Sequence, residues 1–299
     1  MPADSPASGG RRSRVRRDNG GRPEVPRRGD FLYWFGVLLV AGWGLVQLLP
    51  ILWMISTSLK PLRDVFTLPI QWIPRPPQWT NYPAAWNQFP FARYFANSFI
   101  VSLSVTVLNV VLAGMAGYSL AKYRYFGQRA LFIAILSTLM LPIEVVMVPT
   151  FLIVKNLGWL NTYQGLIIPV VADAFGIFLM RQYMLSLPDS LVEAARIDGA
   201  SELGTYFRIV VPLTWPAVLT LAIFTWRETW DAFVWPFIII SDDNLRTIPI
   251  GLQRFQETYV TTYNSVMAVS TIAMIPMVLL FLFFQRAFIR GIALSGLKE

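Results

Sequence analysis

Six long apolar runs, separated by shorter polar stretches, dominate the chain. The first run, from Phe31 to Leu59, contains no charged residue, and about 20 apolar residues are enough to cross the hydrocarbon core of a bilayer as a helix. Five later runs are similarly apolar, so the pattern predicts an all-α integral membrane protein. The six predicted transmembrane helices cover residues 31–59, 95–119, 129–154, 164–184, 212–240 and 265–287.

The distribution of Lys and Arg indicates the orientation of these helices. Short cytoplasmic loops of membrane proteins carry an excess of both residues. The N-terminal tail, the loops 120–129 and 181–211 and the C-terminal end carry clusters of them, and these segments alternate with poorer loops. We therefore expect a multi-pass protein of the plasma membrane with both termini in the cytoplasm.

Composition excludes several functions. Charged residues make up 14% of the chain, whereas about a quarter of a soluble domain is charged. The chain has no Cys and no His, which removes thiolate metal sites and the commonest general base. It also lacks the phosphate-binding pattern G-x-x-x-x-G-K-S/T. We expect no catalytic residue, no metal site and no cofactor in this chain, and a membrane-embedded enzyme is disfavoured.

The net charge of +8 comes in large part from residues 1–30, where eight Arg lie among Pro, Gly and Ser. So few apolar residues cannot form a packed core, which predicts a disordered, basic cytoplasmic tail. We interpret the tail as a determinant of topology, with binding to anionic lipid as the alternative. Nucleic-acid binding is not expected.

The stretch EAARIDGAS, beginning at Glu193, is a charged interruption between the fourth and fifth apolar runs. Ser190 and Glu193 have the spacing of a capping box, and Ser186 is an alternative cap. Asp198-Gly199 predicts a turn after the first helix, because Gly tolerates a positive φ.

The loop 185–212 is thus predicted to contain two short helices joined by a turn, the second of which runs into the fifth span. It either docks a soluble partner or lies on the membrane as an amphipathic helix without a partner.

This loop resembles the cytoplasmic EAA signature of permease subunits of ATP-binding-cassette importers. The resemblance extends over most of residues 31–299 and is closest to the maltose-type, carbohydrate-importing branch, as the second permease of the pair. Asn97-Ser98, LRTIPIGL after the fifth run and FQRAFIRGIALSGLKE at the end contribute to it. It implies a type I importer fold, with a permease domain at 31–299 and a coupling helix in 185–212. The residues it assigns to ATPase coupling are Glu193, Ala194, Ala195, Asp198, Gly199 and Ala200.

The resemblance also implies an assembly in the bacterial inner membrane. The expected partners are a second homologous permease, two ATPase subunits that bind ATP and Mg, and an extracytoplasmic solute-binding protein or lipoprotein. The expected function is import of a di- or oligosaccharide by alternating access, which the ATPases drive. Import of glycerol 3-phosphate or a glycerophosphodiester is the alternative within this class, and a stand-alone secondary transporter is the alternative from another class.

Ionisable residues inside predicted spans are candidates for a translocation pathway, because each costs a few kcal/mol or more at bilayer depth. In the fifth run, Arg227 and Asp231 are four positions apart, so an ion pair along one helix face is the alternative. Nearby Trp rings could stack on a sugar ring or belong to an interfacial aromatic belt. The candidates are Glu144, Asp173, Trp226, Arg227, Glu228, Trp230 and Asp231.

Of the three loops predicted on the outer side of the membrane, the loops 60–90 and 241–265 carry further signals. The loop 60–90 contains several Pro, Trp and Tyr residues, which exclude one regular helix and suit a segment at the membrane interface. The loop 241–265 is by resemblance a contact for the solute-binding protein, and a plain surface loop is the alternative. Its candidate contact residues are Gly251, Gln253 and Gln256.

Overall fold

The computed structural model describes the backbone of residues 31–256 and 262–295. The predicted tail 1–30 lies outside these residues. The chain divides into two units, residues 1–51 and 52–299, of which the second contains most of the described helices. Within the described ranges the ordered elements are helices, which confirms the predicted all-α class.

The helices are numbered in chain order. Short 3-10 turns at Leu62–Asp64, Ile168–Val170 and Asp243–Leu245 and a π turn at Tyr206–Val210 lie between some of them. The helices are α1 Phe31–Ser58, α2 Asn81–Gln88, α3 Phe91–Lys122, α4 Gln128–Thr138, α5 Ile143–Asn156, α6 Tyr163–Ile167, α7 Ala174–Leu185, α8 Asp189–Ile197, α9 Glu202–Thr205, α10 Val211–Leu213, α11 Trp215–Trp230, α12 Val234–Ile239, α13 Ile248–Gln253 and α14 Tyr263–Ser295.

Three helices, α1, α3 and α14, are each long and apolar enough to cross a membrane. Three further runs are pairs of helices bent by 100° between α4 and α5, by 46° before α7 and by 83° before α11. The described part of the chain therefore holds three candidate spans, or up to six if each bent pair counts as one.

The third, fourth and fifth apolar runs are not the continuous helices that the sequence predicts; the fourth is interrupted at residues 171–173. The break in the third run lies at Pro142, which has an extended backbone (φ −62°, ψ 142°) at the start of α5. The fifth run bends at Thr214, between Pro212 and Pro216. Pro removes a backbone donor and obstructs the preceding turn, so the bends in the third and fifth runs have a local cause.

The core of the second unit forms where α3 packs against α7 and α11. A Cβ atom at Gly117 would lie 2.8 Å from the Cβ of Met180 and 2.9 Å from the backbone nitrogen of Arg181. Ala113 precedes Gly117 by one turn and is buried. Helices in lipid associate through such small residues, since these let the backbones approach closely.

A buried hydrogen bond joins α3 to α11 about two helical turns before Gly117. The side-chain amide of Asn109 donates to the hydroxyl of Thr225 at 2.8 Å. A polar side chain inside a helix bundle needs such a partner, because the lipid around the bundle offers none. The bond therefore fixes the rotation of α11 about its own axis relative to α3.

We expect Gly117→Ala to destabilise the protein by about 1–3 kcal/mol, because overpacking forces α3 and α7 apart. The measurement is the midpoint of thermal unfolding of the purified protein in detergent. The control is Gly44→Ala in α1, where an added Cβ meets no atom within 4 Å. Equal midpoints for the two variants would contradict the packing argument.

Candidate functional site

The first helix of the loop 185–212 begins directly after Pro188. Pro188 is the N-cap residue of α8, with an extended backbone (φ −59°, ψ 133°) and no side-chain cap. The capping box predicted from Ser190 and Glu193, and the alternative cap Ser186, are therefore wrong. Ser190 lies inside the first turn, because the fixed φ of Pro188 already sets the chain for helix entry.

The turn after α8 forms at Gly199, as predicted. Gly199 has φ +77°, a conformation that is costly for other residues. The backbone amide of Ala200 donates to the carbonyl of Ala195 at 2.9 Å, which closes the helix end. Ser201 then caps α9, since its hydroxyl accepts from the amide of Gly204 at 3.1 Å. The two helices and the turn between them are thus confirmed.

Helix α8 has one buried and one exposed side. Val192 and Ala195 are buried, and Val192 packs in the cluster that contains Met184 and Tyr206. The other predicted coupling residues are exposed: Glu193, Ala194, Asp198, Gly199 and Ala200. Ala195 is corrected to a packing residue, because its small side chain lets α8 approach the helices beneath it.

The beginning of the loop is held by Lys122, the last residue of α3. Its ammonium group donates to the carbonyl of Leu187 and to the Asp189 carboxylate, both at 2.6 Å. The hydrogen bond from Lys122 lowers the pKa of Asp189. Asp189 is ionised at neutral pH, and the lowered pKa extends its ionised range to more acidic pH, so the pair weakens only as the pH falls through that pKa.

The end of the loop is held by Tyr123, the next residue. Its hydroxyl donates to the Glu202 carboxylate, and burial followed by this bond raises the pKa of Tyr123, so the hydroxyl keeps its proton. Arg196 donates to Glu202 at 2.8 Å and lies over the Tyr123 ring at 5.4 Å. We call Lys122, Tyr123, Asp189, Arg196 and Glu202 the clasp.

Sequence reasoning missed the clasp as a unit. Its bonds join residues 65 to 79 positions apart, apart from the local pair of Arg196 with Glu202. The Lys and Arg residues of the loop 120–129 indicate the orientation of the helices, but nothing in the local sequence pattern predicts the partners of Lys122 and Tyr123.

Asp173, a pathway candidate, is the N-cap residue of α7. Its carboxylate accepts from the amides of Phe175 at 3.1 Å and Gly176 at 2.9 Å. It also interacts electrostatically with the carboxylate of Glu228 on α11. Glu144 lies exposed in the first turn of α5. The structure thus brings two of the predicted acids together.

The indole rings of α11 are packed inside the protein. Trp226 and Trp230 are 8% and 3% exposed and stack on each other at 5.8 Å. Phe99 and Phe95 of α3 contact them edge-on. In this conformation the two rings are not exposed as platforms for a sugar, because residues of α3 and α14 cover them.

The charged residues of α11 are exposed instead. The closest distance between Arg227 and Asp231 is 4.0 Å, with both side chains more than half exposed. Glu228 is also exposed. The predicted ion pair is present, and such an exposed pair contributes at most about 1 kcal/mol. These three side chains remain available to a solute or a partner.

The loop 241–256, part of the loop predicted on the outer side, is attached to the beginning of α3. The amide of Asn97 donates to the carbonyls of Asn244 and Arg246 at 2.9 and 2.8 Å, and Ser98 accepts from the amide of Ile248 at 2.8 Å. The Asn97-Ser98 pair therefore positions this loop.

The three predicted contact residues of this loop differ in exposure. Gly251 is buried, and a Cβ there would collide with the ring of Tyr94. It is corrected to a packing residue, because only glycine lets α13 approach α3 so closely. Gln253 is half-buried and Gln256 is exposed. In residues 31–256 and 262–295, no group of three or more acids could hold a metal ion.

Known proteins resemble this chain in sequence. The family described as binding-protein-dependent transport system inner membrane component matches residues 110–294. The arabinooligosaccharides transport system permease protein AraQ of Halalkalibacterium halodurans is 38% identical over 205 residues, which are 69% of this chain and 74% of that protein. The sn-glycerol-3-phosphate transport system permease protein UgpE of Salmonella typhi is 40% identical over 198 residues, which are 66% of this chain and 70% of that protein.

A solved structure shares the fold. One chain of a bacterial ABC transporter involved in the import of the acidic polysaccharide alginate superposes with a TM-score of 0.79 at 23% identity, covering 88% of this chain and 99% of that chain. The all-helical architecture, the two-helix loop and the family match agree. The chain belongs to the family of binding-protein-dependent transport system inner membrane components and is a permease subunit of an ATP-binding-cassette importer.

Proposed function

We propose that this permease carries a neutral di- or oligosaccharide into the cell by alternating access, driven by partner ATPases. Residues 31–299 form the permease domain, 1–30 form a cytoplasmic tail, and the loop 185–212 receives the motion of an ATPase. The assembly contains a second homologous permease, two ATPase subunits that bind ATP and Mg, and an extracytoplasmic solute-binding protein or lipoprotein. The observation that supports coupling to an ATPase is the exposed side of α8, which the clasp holds against the end of α3.

The exposed side of α8 suits a protein partner. Ile197 is 86% exposed at its end and Leu203, beyond the turn, is 57% exposed. Ile197 is four residues after Glu193 and so on the same face of α8. Together with Leu203 they form a mixed surface, which a groove with apolar walls and a basic residue would complement. The alternative of an amphipathic helix without a partner would leave the compact turn at Gly199 without a role.

The clasp explains how motion of α8 reaches the membrane. Lys122 and Tyr123 end α3, which packs along α7 and α11. A force on α8 is therefore applied to the end of α3 through charged hydrogen bonds, which are stronger than neutral ones. Three helices then move as one body, as alternating access requires.

Contacts of the loop 60–90 support a location of both termini on the same side. Trp72 contacts Trp53 near the end of α1, and Phe66 contacts Tyr263 at the beginning of α14. The end of α1 and the beginning of α14 therefore lie near one membrane surface. The Lys and Arg bias of the sequence assigns both termini to the cytoplasm, which requires these two helix ends to lie at the outer surface.

The charge of the candidate pathway favours a neutral solute. The candidates include four carboxylates, Glu144, Asp173, Glu228 and Asp231, and one guanidinium, Arg227. Arg227 has Asp231 nearby, which offsets its attraction for an anion. A phosphorylated solute would be repelled by this surplus of negative charge. AraQ is named for arabinooligosaccharides, which agrees with a sugar, whereas UgpE represents the glycerol 3-phosphate alternative.

We expect Gly199→Val to reduce solute-stimulated ATP hydrolysis by the reconstituted complete importer at least ten-fold, and Glu193→Arg to reduce it too. Valine at φ +77° is strained by about 1–3 kcal/mol, so the turn rearranges. The control is Gly158→Val, a site with φ +71° and open space, outside the loop. If both loop variants keep full stimulation, the coupling assignment is wrong.

Tyr123→Phe removes the hydroxyl that binds Glu202 without changing the exposed side of α8. A hydrogen bond to a charged group contributes about 1.5 kcal/mol or more, so we expect amide hydrogen exchange at residues 198–204 to accelerate several-fold. The ATP hydrolysed per solute transported should also rise. Tyr125→Phe, two residues along the same loop, is the control. Unchanged exchange and an unchanged ratio would show that the clasp transmits nothing.

The choice between a neutral oligosaccharide and glycerol 3-phosphate is tested by measuring ATP hydrolysis of the reconstituted importer with its binding protein and each solute. We expect the oligosaccharide to stimulate ATP hydrolysis and glycerol 3-phosphate to have no effect. Arg227→Ala should change the oligosaccharide response less than three-fold, because a neutral solute needs no cation. Stimulation by glycerol 3-phosphate that Arg227→Ala abolishes would establish the anion alternative.

A further inference from the structure

The segment Phe66–Trp79, between α1 and α2, exposes an unusual amount of apolar surface. It has no regular helix, and no Lys, Arg, Asp or Glu occurs between Asp64 and Arg75. Leu68 and Ile73 are 85% and 72% exposed. The other large exposed apolar side chains are Phe66, Ile70, Trp72 and Trp79.

Two aromatic contacts fix the depth of this segment relative to the membrane-crossing helices. The rings of Trp72 and Trp53 meet edge-on at 5.5 Å, and those of Phe66 and Tyr263 at 5.0 Å. Trp53 lies five residues before the end of α1, a distance of about 7.5 Å along the helix. Tyr263 is the first residue of α14. The segment therefore lies at the level where two apolar helices end.

Polar groups at the same level mark it as a boundary. The ammonium group of Lys60 lies over the face of the Trp53 ring, 4.3 Å from the ring centre. Asn81 donates to the carbonyls of Ser58 and Lys60, beyond the end of α1. Polar groups at Lys60 and Asn81 and the apolar side chains of the segment therefore lie close together near the end of α1.

The backbone of the segment decides how deep it can lie. Irregular backbone leaves amides and carbonyls that need water, so it cannot lie in the hydrocarbon core exposed to lipid. Six large apolar side chains beside one another are equally unsuited to bulk water. The membrane interface meets both requirements, because headgroups and water reach the backbone while the acyl chains cover the side chains.

Two arginines flank the segment. Arg63, before it, has an 87% exposed side chain that lies 3.6 Å from the Asp64 carboxylate, and Arg75 lies exposed near its other end. Long cationic side chains at an apolar boundary reach lipid phosphates while their stems remain among apolar groups. In this arrangement the two flanking arginines can contact lipid headgroups, while the apolar run between them lies at the boundary of the acyl chains.

We propose that Phe66–Trp79 is a lipid-binding segment that lies in the interface of the bilayer where α1 ends and α14 begins. Leu68, Ile70 and Ile73 insert among the first acyl carbons, and Arg63 and Arg75 bind lipid phosphates. The segment adjoins the apolar end of α1 at Trp53 and the apolar beginning of α14 at Tyr263, which makes lipid its occupant. A second permease, a solute-binding protein and bulk water are the competing occupants.

The test uses the absence of Cys from the chain. Leu68→Cys and Ile73→Cys are labelled with bimane in the complete importer, whose partner subunits carry no reactive thiols, in phosphatidylcholine nanodiscs. Asn87→Cys, on the exposed surface of α2, is the control. We expect lipid with a nitroxide at acyl carbon 5 to quench the labels at 68 and 73 at least two-fold. Aqueous iodide should quench only the label at 87.

Each other result overturns the proposal. Iodide quenching at 68 and 73 equal to that at 87 would place the segment in water. Protection of both labels from both quenchers would mean that a protein subunit covers it. Both substituted side chains are exposed, so the labelled proteins should retain wild-type ATPase activity, which is measured in the same samples.

Discussion

The close approach of α3 to α7 at Gly117 is the constraint on which the rest of this permease depends. Without a side chain there, the backbone of α3 lies against Met180 and Arg181. The guanidinium of Arg181 then reaches the carbonyl of Leu120 at 3.1 Å. The inner ends of both helices lie side by side as a result. Only this arrangement lets Lys122 meet the residues that follow α7.

Helix α3 connects the loop 241–256 to helix α8 mechanically. Its 32 residues span about 48 Å. Asn97 holds the loop 241–256 near one end, and the clasp holds α8 at the other. A rigid secondary-structure element that contacts two distant sites can carry energetic coupling between them. The proposed ATPase side and the proposed binding-protein side therefore act on the same helix.

The charges in the membrane are arranged around that rigid centre. The paired indoles of Trp226 and Trp230 fill the contact of α11 with α3, which leaves Arg227 and Glu228 on the exposed side. Helical geometry causes this division, because adjacent positions point about 100° apart. The residues that could meet a solute are thus charged and polar, and the aromatic residues hold the helix that presents them.

The sequence by itself determined the apolar runs, the helical class and the two-helix loop with its turn at Gly199. Each is a local property, since hydropathy, Pro positions and the positive φ of glycine act within a few residues. Tertiary structure alone decided the burial of Trp226, Ala195 and Gly251 and the assembly of the clasp. Those outcomes depend on which helix faces which, and contacts between residues 65 to 79 positions apart are not visible in any local pattern.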